Sequence, residues 1–234
     1  MKLATRATIL ALASLSALAL PIRLASYDTG FVDCDAVSEG PNTSAVYHWL
    51  NASNSGSDLS GAESDDSDYV HAECDGRTYK LICQDFGFSF PVGFPSGYTV
   101  TGVKVRFHGY STVFYRTESA TFRGTVQLLD DTGAETGTSK STLTNLFLPE
   151  SGFGVDGERI YGAGSTDMWG LGAGDLDSVV ADPDFGCSLW LNYQDTGPVT
   201  MYLNSVNIKI FYEDDVTHRQ FVTEGTGRAR PSRS

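Results

Sequence analysis

The residues of this 234-residue chain best suited to chemistry are four cysteines, Cys34, Cys74, Cys83 and Cys187. Thiolates hold soft metals, but a structural zinc site needs closely spaced cysteine pairs, and no C-x-x-C occurs. Cys74 and Cys83 flank Asp75-Gly76-Arg77, where a tight hairpin would bring them together, so they are the expected disulfide in an oxidising compartment. Reduced thiols suit the same spacing equally well. Cys187 alternates with Leu189 and Leu191 and reads as a packed free thiol. The histidines, His48, His71, His108 and His218, are scattered, and none pairs with another at ligand spacing. Asp175 and Asp177 resemble a glycosidase pair only in being two carboxylates; the separation of about 5 to 9.5 Å that such chemistry needs is not a sequence property. The acidic loop from residue 51 to 68 lacks the fixed oxygen positions, central Gly and closing Glu of a Ca²⁺ loop, and reads as solvated. G-x-S-x-G, H-E-x-x-H, Walker and dinucleotide-binding motifs are absent. We therefore expect no catalytic residues, no metal and no cofactor.

Aromatic residues carry a different chemistry. Trp49, Trp169, Trp190 and the 11 tyrosines could stack against sugar rings or bury area between subunits. Trp190 is the candidate surface contact, because the strand phase points it away from Leu189 and Leu191.

The elements that must position these residues are strands. Hydrophobic residues make up 41% of the chain, Gly numbers 25 and charged residues only 19%, a composition of short strands and turns. Apolar residues recur with period two: Val103, Val105 and Phe107 against Lys104, Arg106 and His108; Phe122, Val126 and Leu128 against Arg123, Thr125 and Gln127; Cys187, Leu189, Leu191 and Tyr193. Phe86, Phe88 and Phe90 alternate with Gly87 and Ser89 as a core strand does. The last long strand changes phase between Val199-Met201-Leu203 and Val206-Ile208-Ile210-Tyr212, which predicts a β-bulge near Asn204-Ser205. Turn signals fall at Phe94-Pro95-Ser96-Gly97, Asp130-Asp131-Thr132-Gly133 and Asp195-Thr196-Gly197-Pro198, with a short helical turn expected at 174–180. The expected architecture is an all-β, antiparallel, jelly-roll-like sandwich over residues 31–212.

The two ends differ from this body. Residues 1–30 carry Lys2 and Arg6, then an Ala/Leu-rich run with Ile9, Leu12, Leu15, Leu18 and Leu20. The outline is that of a secretory signal with an A-x-A site at Ala17-Leu18-Ala19, or of an apolar assembly arm that neighbouring protein must cover. The run is short for a hydrocarbon core of about 30 Å, so no stable membrane span is expected. Residues 213–234 are polar and end in a basic cluster, Arg228, Arg230 and Arg233, suited to docking on an acidic neighbour such as another copy of the chain. With 16 Lys+Arg against 29 Asp+Glu the net charge is −13, which repels phosphate backbones and argues against nucleic-acid binding.

A larger pattern spans residues 47–212. Trp49-Leu50-Asn51, Asp65-Asp66-Ser67-Asp68-Tyr69, Phe86-Gly87-Phe88-Ser89-Phe90-Pro91, Val100-Thr101-Gly102-Val103-Lys104-Val105, Val126-Gln127-Leu128-Leu129, Tyr161-Gly162-Ala163-Gly164-Ser165-Thr166-Asp167-Met168-Trp169-Gly170, Phe185-Gly186-Cys187 and Val206-Asn207-Ile208-Lys209-Ile210-Phe211-Tyr212 occur in that order. This set resembles a β-sandwich domain of uncharacterised tailed-bacteriophage and prophage virion proteins. The resemblance implies a structural role without catalytic residues: capsid decoration or a head spike first, a tail fibre or tail tip next. The implied partners are copies of the chain and a coat or tail protein. The rival expectation is a secreted or cell-surface carbohydrate-binding module that meets host glycans through Trp190. Within the Tyr161 to Gly170 stretch, Gly162, Gly164 and Gly170 allow a tight loop, Trp169 can plug one end of the sandwich and Asp167 can cap nearby amides.

Overall fold

A computed structural model of the chain describes residues 25–45, 47–51, 59–63, 68–91, 94–111, 122–141, 157–193 and 199–214. It is an all-β protein of two antiparallel sheets packed face to face. The first sheet is built on two long strands, β7 (Tyr98–Ser111) and β12 (Val199–Asp214), which run side by side over their length. On the far side of β7 lies β10 (Gly157–Tyr161). The far side of β12 is shared end to end by β5 (Val70–Cys74), β2 (Val32–Asp33) and β1 (Ser26–Asp28), and β4 (Leu50–Asn51) adds to β5. The second sheet runs in the order β3 (Ala36–Gly40), β6 (Lys80–Gln84), β11 (Gly186–Tyr193), β8 (Phe122–Leu129) and β9 (Glu135–Ser141).

The period-two pattern explains which side of each strand is buried. Val103, Val105 and Phe107 are fully buried, and they face Leu81, Val126, Leu128, Leu189 and Leu191 of the second sheet in one apolar cluster. Each residue of this kind stabilises the fold by about 1.5–3 kcal/mol through removal from water. The expected bulge is present: the β7–β12 register shifts between Leu203 and Ser205, so that Met201 and Leu203 before it and Val206, Ile208 and Ile210 after it all point inward. An unbulged strand would have turned one of these sets to solvent.

The turns at residues 94–98 and 130–134 also form as expected. Tyr98 N–H donates to the Pro95 carbonyl at 3.0 Å, and Asp130 Oδ1 accepts from the amides of Thr132 and Ala134. Those contacts, the Thr132 hydroxyl foremost, hold the Asp130 carboxyl below the usual range. The turn signal at residues 195–198 lies outside the described residues. The one expected helical turn is α1 (Ala173–Val180), which buries Leu176 and Val180.

Three expectations are corrected. Residues 85–91 form no strand, because Asp85 (φ 56°) and Gly87 (φ 57°) both sit in the left-handed region, which no extended strand contains. No hairpin joins Cys74 to Cys83: β5 belongs to the first sheet and β6 to the second, and Cys83 is a free buried thiol. The acidic loop is not wholly solvated, since a 3-10 turn at Ser60–Ala62 sets Leu59 and Ala62 into the core.

Candidate interaction surface

The densest aromatic cluster is a strip of rings that runs from the core to an exposed corner. It starts where β1 lies against the end of β12. There Tyr27 pairs with Tyr212 in register, their rings stack at 5.6 Å, Asp214 N–H donates to the Ala25 carbonyl at 3.3 Å, and Tyr27 Oη donates to Asp214 Oδ2 at 3.4 Å. Residues 25 and 214 are thus neighbours at one corner of the sandwich. Tyr212 is central: Phe90, Phe94 and Tyr98 meet its ring edge-on at 6.1, 5.8 and 5.8 Å. Phe90 and Phe94 stack face to face at 3.9 Å. Burial, with Tyr98 close by, pushes the Tyr212 hydroxyl upward in pKa.

From Phe90 the strip continues through Phe88 (5.7 Å) to Phe86 (5.6 Å) and Phe185 (6.1 Å). It ends in an open groove of about 200 Å³ lined by Phe86, Phe88, Phe90, Phe185, Val180 and Pro183, with Asp85 and Asp182 at its rim. Phe86 is buried, Phe88, Phe90, Phe94 and Tyr98 are partly buried against the core, and Tyr27 is 43% exposed. The core expectation holds for Phe86, with Phe88 and Phe90 packed beside it, although the stretch is not a strand.

The residues singled out from sequence fall in separate places. Trp190 does point outward from β11, but it is half-buried, and the Arg77 guanidinium lies 4.7 Å from its ring centroid, covering one face. Asp175 is in the first turn of α1, whereas Asp177 accepts a hydrogen bond from Val100 N–H of β7. Two residues apart on a helix, the two carboxylates point in different directions. Burial pushes the Asp177 carboxyl up, with the Val100 hydrogen bond opposing. His48 stacks on Tyr79 at 4.3 Å and contacts Glu39 at 2.7 Å. His71 stacks on Tyr202, and His108 lies on the outer side of β7, as its phase required. Among the described residues no group of His, Cys, Asp or Glu is arranged to hold a metal ion, and no helix is long and apolar enough to cross a membrane. Ile9, Leu12, Leu15, Leu18, Leu20, Arg228, Arg230 and Arg233 lie outside the described residues.

The glycine-rich stretch after β10 forms a latch against β7. Asp167 Oδ2 accepts from Ala163 N–H (2.7 Å) and Lys140 Nζ (2.8 Å), and its Oδ1 accepts from Trp169 N–H (3.1 Å). Burial opposes ionisation of Asp167, yet these hydrogen bonds outweigh it and hold the carboxyl below the usual range. Trp169 is 1% exposed and donates Nε1–H to the Val103 carbonyl at 2.9 Å, while Val103 N–H donates to the Asp167 carbonyl at 3.0 Å. β10 stops pairing at Val105, so the latch satisfies the next backbone groups of β7 that would otherwise be bare. These are fold residues, as their composition suggested.

No protein-family model matches the chain, and no curated protein matches it. Among solved structures the chain is similar to the VP2 subviral particle of infectious bursal disease virus, at 10% sequence identity and a TM-score of 0.22. That likeness covers 82% of this chain and 42% of the VP2 chain.

Proposed function

We propose that this protein is a structural component of a tailed-bacteriophage virion, a β-sandwich fixed to the particle by the segments that leave its aromatic corner. The observation that carries this reading is the convergence of residues 25 and 214 beside Tyr27 and Tyr212. Through it, the chain enters the sandwich at residue 25 and leaves it at residue 214 at one place, next to a strip of partly buried rings. Such a strip gains free energy when a partner covers it, and aromatic anchors of this kind dominate interface energetics. The ordered motifs from Trp49 to Tyr212 support the phage assignment. The partners on this reading are the coat or tail protein and further copies of the chain, and capsid decoration is the first placement.

The test uses two variants supplied during particle assembly in the native host: Tyr27→Ala, and a chain shortened after residue 218. Both spare the sandwich core. Each is expected to accumulate as folded free protein and to fall at least several-fold in purified particles. Incorporation of both at the wild-type level would overturn docking through this corner.

A further inference from the structure

Three of the four cysteines meet inside the sandwich. Cys34, Cys83 and Cys187 are free thiols with no exposed surface. Cys83 on β6 and Cys187 on β11 are register partners across an antiparallel pair, a placement within the Cα separation a disulfide spans. The Cys83 thiol lies within interaction range of both other thiols, while the Cys34 thiol donates to the Ala62 carbonyl at 3.5 Å. Cys83 is therefore the shared member of a three-thiol chain. Cys34 stands where the backbone crosses between sheets: its N–H donates to Val206 of β12 at 3.2 Å, and two residues later β3 begins pairing with β6.

We propose that this cluster is a redox staple in which Cys83 forms a disulfide with Cys34 or Cys187 on exposure to a small-molecule disulfide. The step is thiol–disulfide exchange. The Cys83 thiolate attacks oxidised glutathione and expels one glutathione thiolate, leaving a mixed disulfide. The second cysteine thiolate then displaces the other glutathione, so two protein thiols are oxidised to one bond and one oxidised glutathione is reduced to two thiols. A Cys34–Cys83 bond ties the crossing between sheets to β6; a Cys83–Cys187 bond ties β6 to β11. Burial raises the Cys83 thiol well above its ordinary pKa, and the contact with Cys83 followed by burial does the same for Cys34. The attacking thiolate is thus scarce in the folded protein, and the reaction belongs to folding or transient opening.

The test refolds the full chain in a glutathione redox buffer and reads intact mass and disulfide-linked peptides under non-reducing conditions. The expected product has lost two hydrogens and carries one bond that includes Cys83. Cys34→Ser and Cys187→Ser should each still form a bond from Cys83 to the remaining partner, and the folded reduced chain should oxidise at least tenfold more slowly than the refolding one. Four free thiols after refolding, a bond that includes Cys74, or a Cys34–Cys187 bond would each overturn the proposal.

Discussion

Replacing Trp169 tests whether the latch after β10 holds the sandwich together. The indole is 1% exposed, and its Nε1–H is bonded at 2.9 Å to the Val103 carbonyl. Trp169→Phe keeps most of the ring volume and removes the donor. The buried Val103 carbonyl then loses its partner, at a cost of about 1–3 kcal/mol. Trp169→Ala also empties the plug, and large-to-small changes of this kind cost about 3–5 kcal/mol. For a domain of this size each kcal/mol shifts Tm by about 2–4 °C, so the expected losses are about 2–12 °C for Phe and about 6–20 °C for Ala. Thermal and urea unfolding followed by far-UV circular dichroism read both, with unchanged urea m-values confirming that the denatured state is not what moved. An Ala variant within about 1 kcal/mol of the wild type would show that Trp169 is not a plug and refute the reasoning. The opposite order, Phe more harmful than Ala, would refute the part assigned to packing.

Two pH dependences follow from the same geometry. The Asp167 carboxyl is held below its ordinary value, so it contributes stability above about pH 4 that is lost as pH falls through its lower folded value. Asp167→Asn should lower Tm at pH 7 and leave a smaller acid-side decline. The Asp177 carboxyl is raised by burial, so its ionised form weakens the fold at neutral pH and the penalty disappears as pH falls below about 4. Asp177→Asn keeps an acceptor for Val100 N–H and should raise Tm at pH 7, with the gain shrinking on acidification; a loss of Tm at pH 7 would contradict this.

Much of the fold was legible because burial is periodic. Val103, Val105 and Phe107, or Leu189 and Leu191, could be assigned to the core from alternation alone, and the phase change around Asn204 located the bulge. Trp169 and Asp167 were legible for another reason: glycines with a lone Trp and a short acid admit few tight loops. What failed depended on backbone dihedrals or on pairing at a distance. Phe86, Phe88 and Phe90 alternate as a strand would, but left-handed Asp85 and Gly87 break the strand, leaving Phe86 in the core and Phe88 and Phe90 partly buried beside it. Cys74 and Cys83 are near in sequence, yet the chain changes sheets between them, and Cys83 meets Cys34 and Cys187 instead. The aromatic corner was hidden because Tyr27 and Tyr212 are far apart in sequence and meet only through the β1–β12 pairing.

The most direct measurement is the stoichiometry of this chain in density-purified particles from its native source, by quantitative peptide mass spectrometry against the major coat protein. A virion structural role requires a fixed ratio to coat protein that survives repeated purification. A chain found only free in the medium or the cell, and missing from the particles, would contradict it.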